Sequence, residues 1–122
     1  MSQAELTAAV EEANRRNIPV MAHAHSAAGI KAAIRAGVRS IEHGTFMDAE
    51  GLELLIKNGV YLVPTRAVGD YCTLHFGGDP AKGKMLELER RIAAQFHQMI
   101  KTAIQRGAKV AVGSDLGGYE HP

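Results

Sequence analysis

Four stretches with helical spacing each end at a residue suited to left-handed backbone, Asn17, Gly37, Gly59 and Gly107, and each is followed within a residue or two by a short apolar run. That alternation constrains the fold more than any other feature of the chain. The first helix opens with Ser2 and Glu5 in capping-box spacing and carries Leu6, Ala9, Val10 and Ala13 on one face, ahead of a strand from Ile18 to Ala22. A second helix, 27–36, presents Ile30, Ala33 and Ile34 before the run Val38–Ile41. A third, 48–58, presents Leu52, Leu55 and Ile56 before Val60–Val63. The fourth places Met85, Leu88, Ile92, Phe96, Met99, Ala103 and Ile104 at helical spacing, and Lys109–Val112 follows. The order is αβαβαβαβ. Apolar strands alternating with helices predict a parallel sheet with helical crossovers, because such strands are covered on both faces.

The first three caps recur at about twenty residues, and the fourth interval is roughly double because a loop and a longer helix intervene. No linker or shift in composition divides the chain, so 1–122 is expected to form a single domain. At 122 residues and 46% hydrophobic it can bury one modest core. A formal net charge of +1 with acids and bases interspersed gives no electrostatic basis for binding nucleic acid or an anionic membrane. The single cysteine, Cys72, excludes an internal disulfide framework and a thiolate zinc cluster. No basic segment followed by an apolar run stands at the N-terminus, and no apolar run approaches ~20 residues. The expectation is a soluble, cytoplasmic chain.

Chemistry in folds of this kind sits at the C-terminal ends of the strands. His23, His43, Thr65 and Asp115 all fall there, one per strand, with His25 two residues beyond His23. Neutral imidazole is a common zinc ligand and a nearby carboxylate serves as ligand, base or both, so two histidines and an aspartate on one rim suit a Lewis-acid site. A lone strand-end histidine is more often a satisfied structural side chain, and an aspartate in a Gly-rich turn is common in its own right. The repeat of the placement is what favours function. Glu42 alternates away from His43 along its strand, which predicts either an orienting contact or a contact with a flanking helix. Two other readings stay open: a non-catalytic metal-binding interaction module, and a metal-free acid–base enzyme.

The ordered combination Val20-Met21-Ala22-His23-Ala24-His25, Gly37-Val38-Arg39-Ser40-Ile41-Glu42-His43-Gly44, Leu62-Val63-Pro64-Thr65 and Val112-Gly113-Ser114-Asp115 resembles strands five to eight of the amidohydrolase superfamily. Within it, the chain is most similar to the imidazolonepropionase-like branch that includes Xaa-Pro dipeptidases. The resemblance implies a partial TIM barrel, with four parallel strands and crossover helices. It implies His23 and His43 as metal ligands, Asp115 as metal ligand and proton carrier, and His121 near substrate. His25 and Thr65 are further substrate-binding candidates, and dipeptidase-like members often carry tyrosine where His25 stands. The implied reaction is hydrolysis of an amide-type C–N bond in a dipeptide, acyl-amino acid or cyclic amide, using one or two divalent metals, with zinc favoured.

The superfamily also uses a His-x-His pair on its first strand and usually a carboxylated lysine on its fourth, and neither strand is in this chain. A complete barrel needs ~250 residues, so about half of one is expected, feebly active or inactive alone. Open sheet edges predict self-association. Among the remaining features, the loop 66–80 is long enough to act as a lid. His75 within it reads as a solvated loop residue. His97 lies on a helix away from the rim, Cys72 has no histidine at a suggestive spacing, and Glu87–Arg91 reads as a solvated helix face with local ion pairing.

Overall fold

The computed structural model describes residues 1–67 and 83–115. The expected lid lies outside the described residues from position 68 onward, as do Cys72, His75 and His121. The element order is α1 (Gln3–Arg15), β1 (Met21–Ala24), α2 (Ala27–Ala36), β2 (Ser40–His43), α3 (Ala49–Lys57), β3 (Tyr61–Val63), α4 (Gly83–Gln105) and β4 (Lys109–Val110). The four strands form one parallel sheet in chain order, as the alternation predicts.

Local chemistry sets each helix boundary. Ser2 caps α1 with its hydroxyl on the Glu5 amide at 3.3 Å while the Glu5 carboxylate accepts from the Ser2 amide at 2.6 Å, so two amides without intrahelical partners are satisfied together. Ser26 and Asp48 cap α2 and α3 with a single bond each, their side chains accepting from the amides of Gly29 and Gly51. Each helix then ends on a left-handed residue, with φ of 56° at Asn17, 94° at Gly37, 63° at Gly59 and 78° at Gly107. The amide after each one bonds back five residues: Ile18 to Ala13, Val38 to Ala33, Val60 to Leu55 and Ala108 to Ala103.

That repeated motif corrects the expected strand limits. The first residue of each of the first three apolar runs, Ile18, Val38 and Val60, is tied to the helix behind it, and those strands start one to three residues later, at Met21, Ser40 and Tyr61, whereas the fourth starts at Lys109 as expected. Strands β1 and β2 correspondingly run on to Ala24 and His43, which places both histidines within the strands. The last strand is shorter than expected and stops at Val110.

Register divides the sheet into two faces. Ala22, Ile41, Leu62 and Val110 lie in one row and pack on the helices. Ile30, Ile41, Leu55 and Leu62 are the largest wholly buried side chains of that core. The opposite face carries Met21, Ser40, Tyr61 and Lys109 in one row and His23, Glu42 and Val63 in the next. Glu42 therefore shares a face with His23 and does not reach a flanking helix; it accepts from Ser40 Oγ at 2.6 Å. Lys31 joins α2 to α3 through Asp48 at 2.9 Å and Glu50 at 2.7 Å. Its ammonium holds the Asp48 carboxyl below the usual carboxylate range. The sheet's outer strands are β1 and β4, and near them Met21, Ile18 and Val112 are exposed.

Candidate metal centre

The strands end in backbone conformations that side chains rarely adopt. His43, Thr65 and Asp115 have φ of 70°, 47° and 54°, and Gly44 follows at 69°. Left-handed backbone at a β-branched residue such as Thr65 is strained, and strain of this kind is held only where the surroundings over-determine it. It occurs here at the C-terminal ends of successive strands. The turn swings His43, which alternation alone would aim toward the helices, round to the rim beside His23.

The rim brings His23, His43 and Asp115 together, with one ligand atom from each lying within 4.8 Å of the others. His23 Nδ1 and His43 Nε2 share a hydrogen bond of 2.8 Å, and the two rings are tilted at 46° with centroids 4.9 Å apart. On its other side His43 bonds through Nδ1 to the Thr65 hydroxyl at 2.7 Å. His25 lies parallel over His43, at 8° and 4.5 Å between centroids, and its own Nδ1 bonds to Thr45 Oγ1 at 2.9 Å. His43 and Thr65 are buried, whereas His23, His25 and Asp115 are exposed. His97 is exposed on α4.

Two glycines permit this convergence. A Cβ on Gly113 would stand 2.6 Å from Val63 Cγ1, so only glycine lets the segment leading to Asp115 lie this close to β3. A Cβ on Gly44 would meet Leu62 Cδ1 at 2.8 Å in addition to the cost of its positive φ. The role of Thr45 as partner to His25 is a feature that sequence reasoning missed. Its only sequence signal is a hydroxyl residue directly after the Gly44 turn. A cleft of about 640 Å³ opens at the opposite ends of the strands, among Asn14, Asn17, Gly37, Arg39, Asn58 and Gly59, and has no part in this centre.

The donor set fits a divalent metal. Two imidazoles, one carboxylate and a remaining open position match the pattern of catalytic zinc sites. Nitrogens on one tetrahedral zinc stand about 3.3 Å apart, so the 2.8 Å between His23 and His43 needs only a small side-chain rotation. Burial pushes the His43 imidazole below its ordinary pKa, and the neighbouring His25 and His23 act in the same direction against Asp115 and Glu42. A neutral ring is the form that binds metal.

A pH dependence follows from that depression. The unfolded chain takes up a proton at the ordinary histidine value, near 6.5, before the folded chain protonates His43, so stability falls as pH drops below that value. Below the depressed folded value this contribution falls no further. Urea midpoints measured across pH 7.5 to 5 are expected to decline, and a His43→Gln variant is expected to decline less; parallel curves would contradict the assignment.

Comparison with known proteins points the same way. Residues 1–120 match the family described as the amidohydrolase family. Ochratoxinase of Aspergillus niger is 38% identical over 114 residues, which is 93% of this chain and 24% of that protein. The crystal structure of a Xaa-Pro dipeptidase with methionine in its active site superposes with a TM-score of 0.83 at 38% identity, covering 99% of this chain and 30% of its own. The A. niger ochratoxinase crystal structure gives 0.85 at 36% identity, covering 94% and 26%. The chain thus spans about a quarter of the curated relative's length, and the four parallel strands correspond to part of a TIM barrel.

Proposed function

The chain belongs to the amidohydrolase family, and from that premise we propose that its rim is part of a metal-dependent hydrolase site that cleaves an amide-type C–N bond. The observation that carries this reading is the convergence of His23, His43 and Asp115 within 4.8 Å at the C-terminal ends of the strands. His23, His43 and Asp115 would hold a divalent ion, with zinc best suited to a nitrogen, nitrogen and carboxylate donor set. Such an ion, when bound, supplies an acidified water and polarisation of the substrate carbonyl.

The chain's own groups do the rest. The Asp115 carboxylate, exposed on the rim, takes a proton from the attacking water and returns it to the departing nitrogen. His25 is steered by Thr45 and stacked on His43, which leaves its outer edge for substrate. By the family resemblance His121 is the other residue proposed to lie near substrate. The substrate class is a dipeptide, acyl-amino acid or cyclic amide. The Xaa-Pro dipeptidase among the similar structures is named for the first of these. With three ligands the isolated chain should bind metal weakly and turn over feebly.

Isothermal titration of the metal-free chain with zinc tests the reading. One equivalent bound, lost in an Asp115→Asn variant, is expected; the absence of any saturable zinc binding would overturn it. Hydrolysis that survives exhaustive chelation would select metal-free acid–base chemistry instead.

Copies of the chain are also proposed to associate through the edges of β1 and β4, which pair with no further strand among the described residues and lie near the exposed Met21 and Val112. Light scattering at micromolar concentration is expected to give a mass above the 13.1 kDa of one chain. A stable monomer would refute that.

A further inference from the structure

We propose that Thr65 is a positioning residue for His43: its hydroxyl accepts from His43 Nδ1–H and so leaves the Nε2 lone pair directed at the space shared with His23 and Asp115. The inference rests on the reading of those three residues as a metal site. It gives Thr65 a task other than the substrate contact that its place on the rim suggests.

Three observations support it. The first is the contact itself. Thr65 Oγ1 lies 2.7 Å from His43 Nδ1, and both residues are buried, at 7% and 8% exposure, so water does not compete for either atom. The second is the backbone. Thr65 holds φ of 47°, in the left-handed region that a β-branched residue avoids, and it does so directly after the buried Pro64 that follows β3. Strain of this sort persists where a site requires it, and the hydroxyl that this turn carries is spent on His43. The third is the chemistry of imidazole. A neutral ring has one donor and one acceptor nitrogen, and the partner of one nitrogen decides the state of the other.

The hydrogen-bonded row Thr65–His43–His23 has two self-consistent directions. In one, Thr65 donates to Nδ1 and His43 carries its proton on Nε2, where a metal would bind. In the other, His43 donates from Nδ1 to Thr65 and accepts from His23 at Nε2. Only the second leaves a lone pair on His43 for a metal that displaces the shared proton. A hydroxyl partner to a ligating histidine is the kind of outer contact whose loss lowers metal affinity about 10- to 100-fold.

The test uses the whole chain with Thr65→Val, Thr65→Ser and Thr65→Gly, zinc affinity by competition with a chromophoric chelator, and ring nitrogen shifts by NMR in the metal-free state at pH 7.5. Valine keeps the shape and the backbone strain but removes the acceptor. Wild type and Thr65→Ser are expected to carry the His43 proton on Nδ1, and Thr65→Val on Nε2. Zinc affinity is expected to fall about 10- to 100-fold in Thr65→Val and to stay within a few-fold of wild type in Thr65→Ser. Thr65→Gly relieves the strained φ, so it should melt at or above the wild-type temperature and still lose zinc affinity. A merely structural threonine would not separate those two readouts. Should Thr65→Val fail to fold, Thr65→Gly and the wild-type spectrum still decide the matter. A wild-type His43 protonated on Nε2, or a Thr65→Gly chain that binds zinc as tightly as wild type, would overturn the proposal. A wild type that binds no zinc but carries Nδ1–H on His43 would instead count against the metal-site reading and leave the role of Thr65 standing.

Discussion

Replacement of His43 by alanine is expected to lower the zinc affinity of this chain by more than about 100-fold, because losing even an outer partner of a ligand costs 10- to 100-fold and His43 is itself proposed as a ligand. The residue stands between His23 at 2.8 Å and Thr65 at 2.7 Å, with His25 stacked on its face. Its removal takes away one donor, frees His23 from its hydrogen bond and leaves the buried Thr65 hydroxyl without its ring partner. The same titration that measures wild-type binding reads the loss. A His43→Ala chain that kept zinc within threefold of wild type would mean that the three converging groups are not the ligands. Circular dichroism of the variant separates loss of a ligand from unfolding, a control that His43 needs because it is buried.

The largest effect on stability is expected at Leu55. It is wholly buried on the inward side of α3, in one cluster with Ile30, Ile41 and Leu62. Truncation to alanine removes its transfer free energy and leaves a cavity, together about 3 kcal/mol. In a chain of this size that is a large part of total stability, and the melting temperature should fall by about 10 °C. The consequence reaches the rim. Leu62, in the same cluster, lies one residue from Val63, which Gly113 contacts closely on the way to Asp115. Leu55→Ala should therefore weaken zinc binding at temperatures near its own melting point and leave it unchanged well below. A shift in melting temperature under 2 °C would show that the site collapses around the smaller side chain.

Much of the fold is legible in the residues because it is made of short-range events. Ser2 with Glu5, the left-handed residues Asn17, Gly37, Gly59 and Gly107, and the apolar spacing of each helix act within a few positions of one another. Each forms without reference to the rest of the chain. Strand limits were less legible. Whether Ile18, Val38 and Val60 pair in the sheet or bond back to Ala13, Ala33 and Leu55 depends on how the helix end closes. Glu42 shows the same boundary: alternation separates it from His43, but only register with His23 tells which face it occupies.

The order of elements, the parallel sheet, the family and the candidates His23, His43 and Asp115 can be read from the residues alone, since periodicity, caps and residue type are local properties. What those candidates do to one another emerges only once the strands are paired. That His43 turns back to the rim, that Thr65 is bent to meet its Nδ1, that Thr45 steers His25 and that Gly113 lets Asp115 approach all follow from strands about 4.8 Å apart ending in left-handed backbone. Such contacts join residues twenty or more positions apart, and no local pattern encodes a distance.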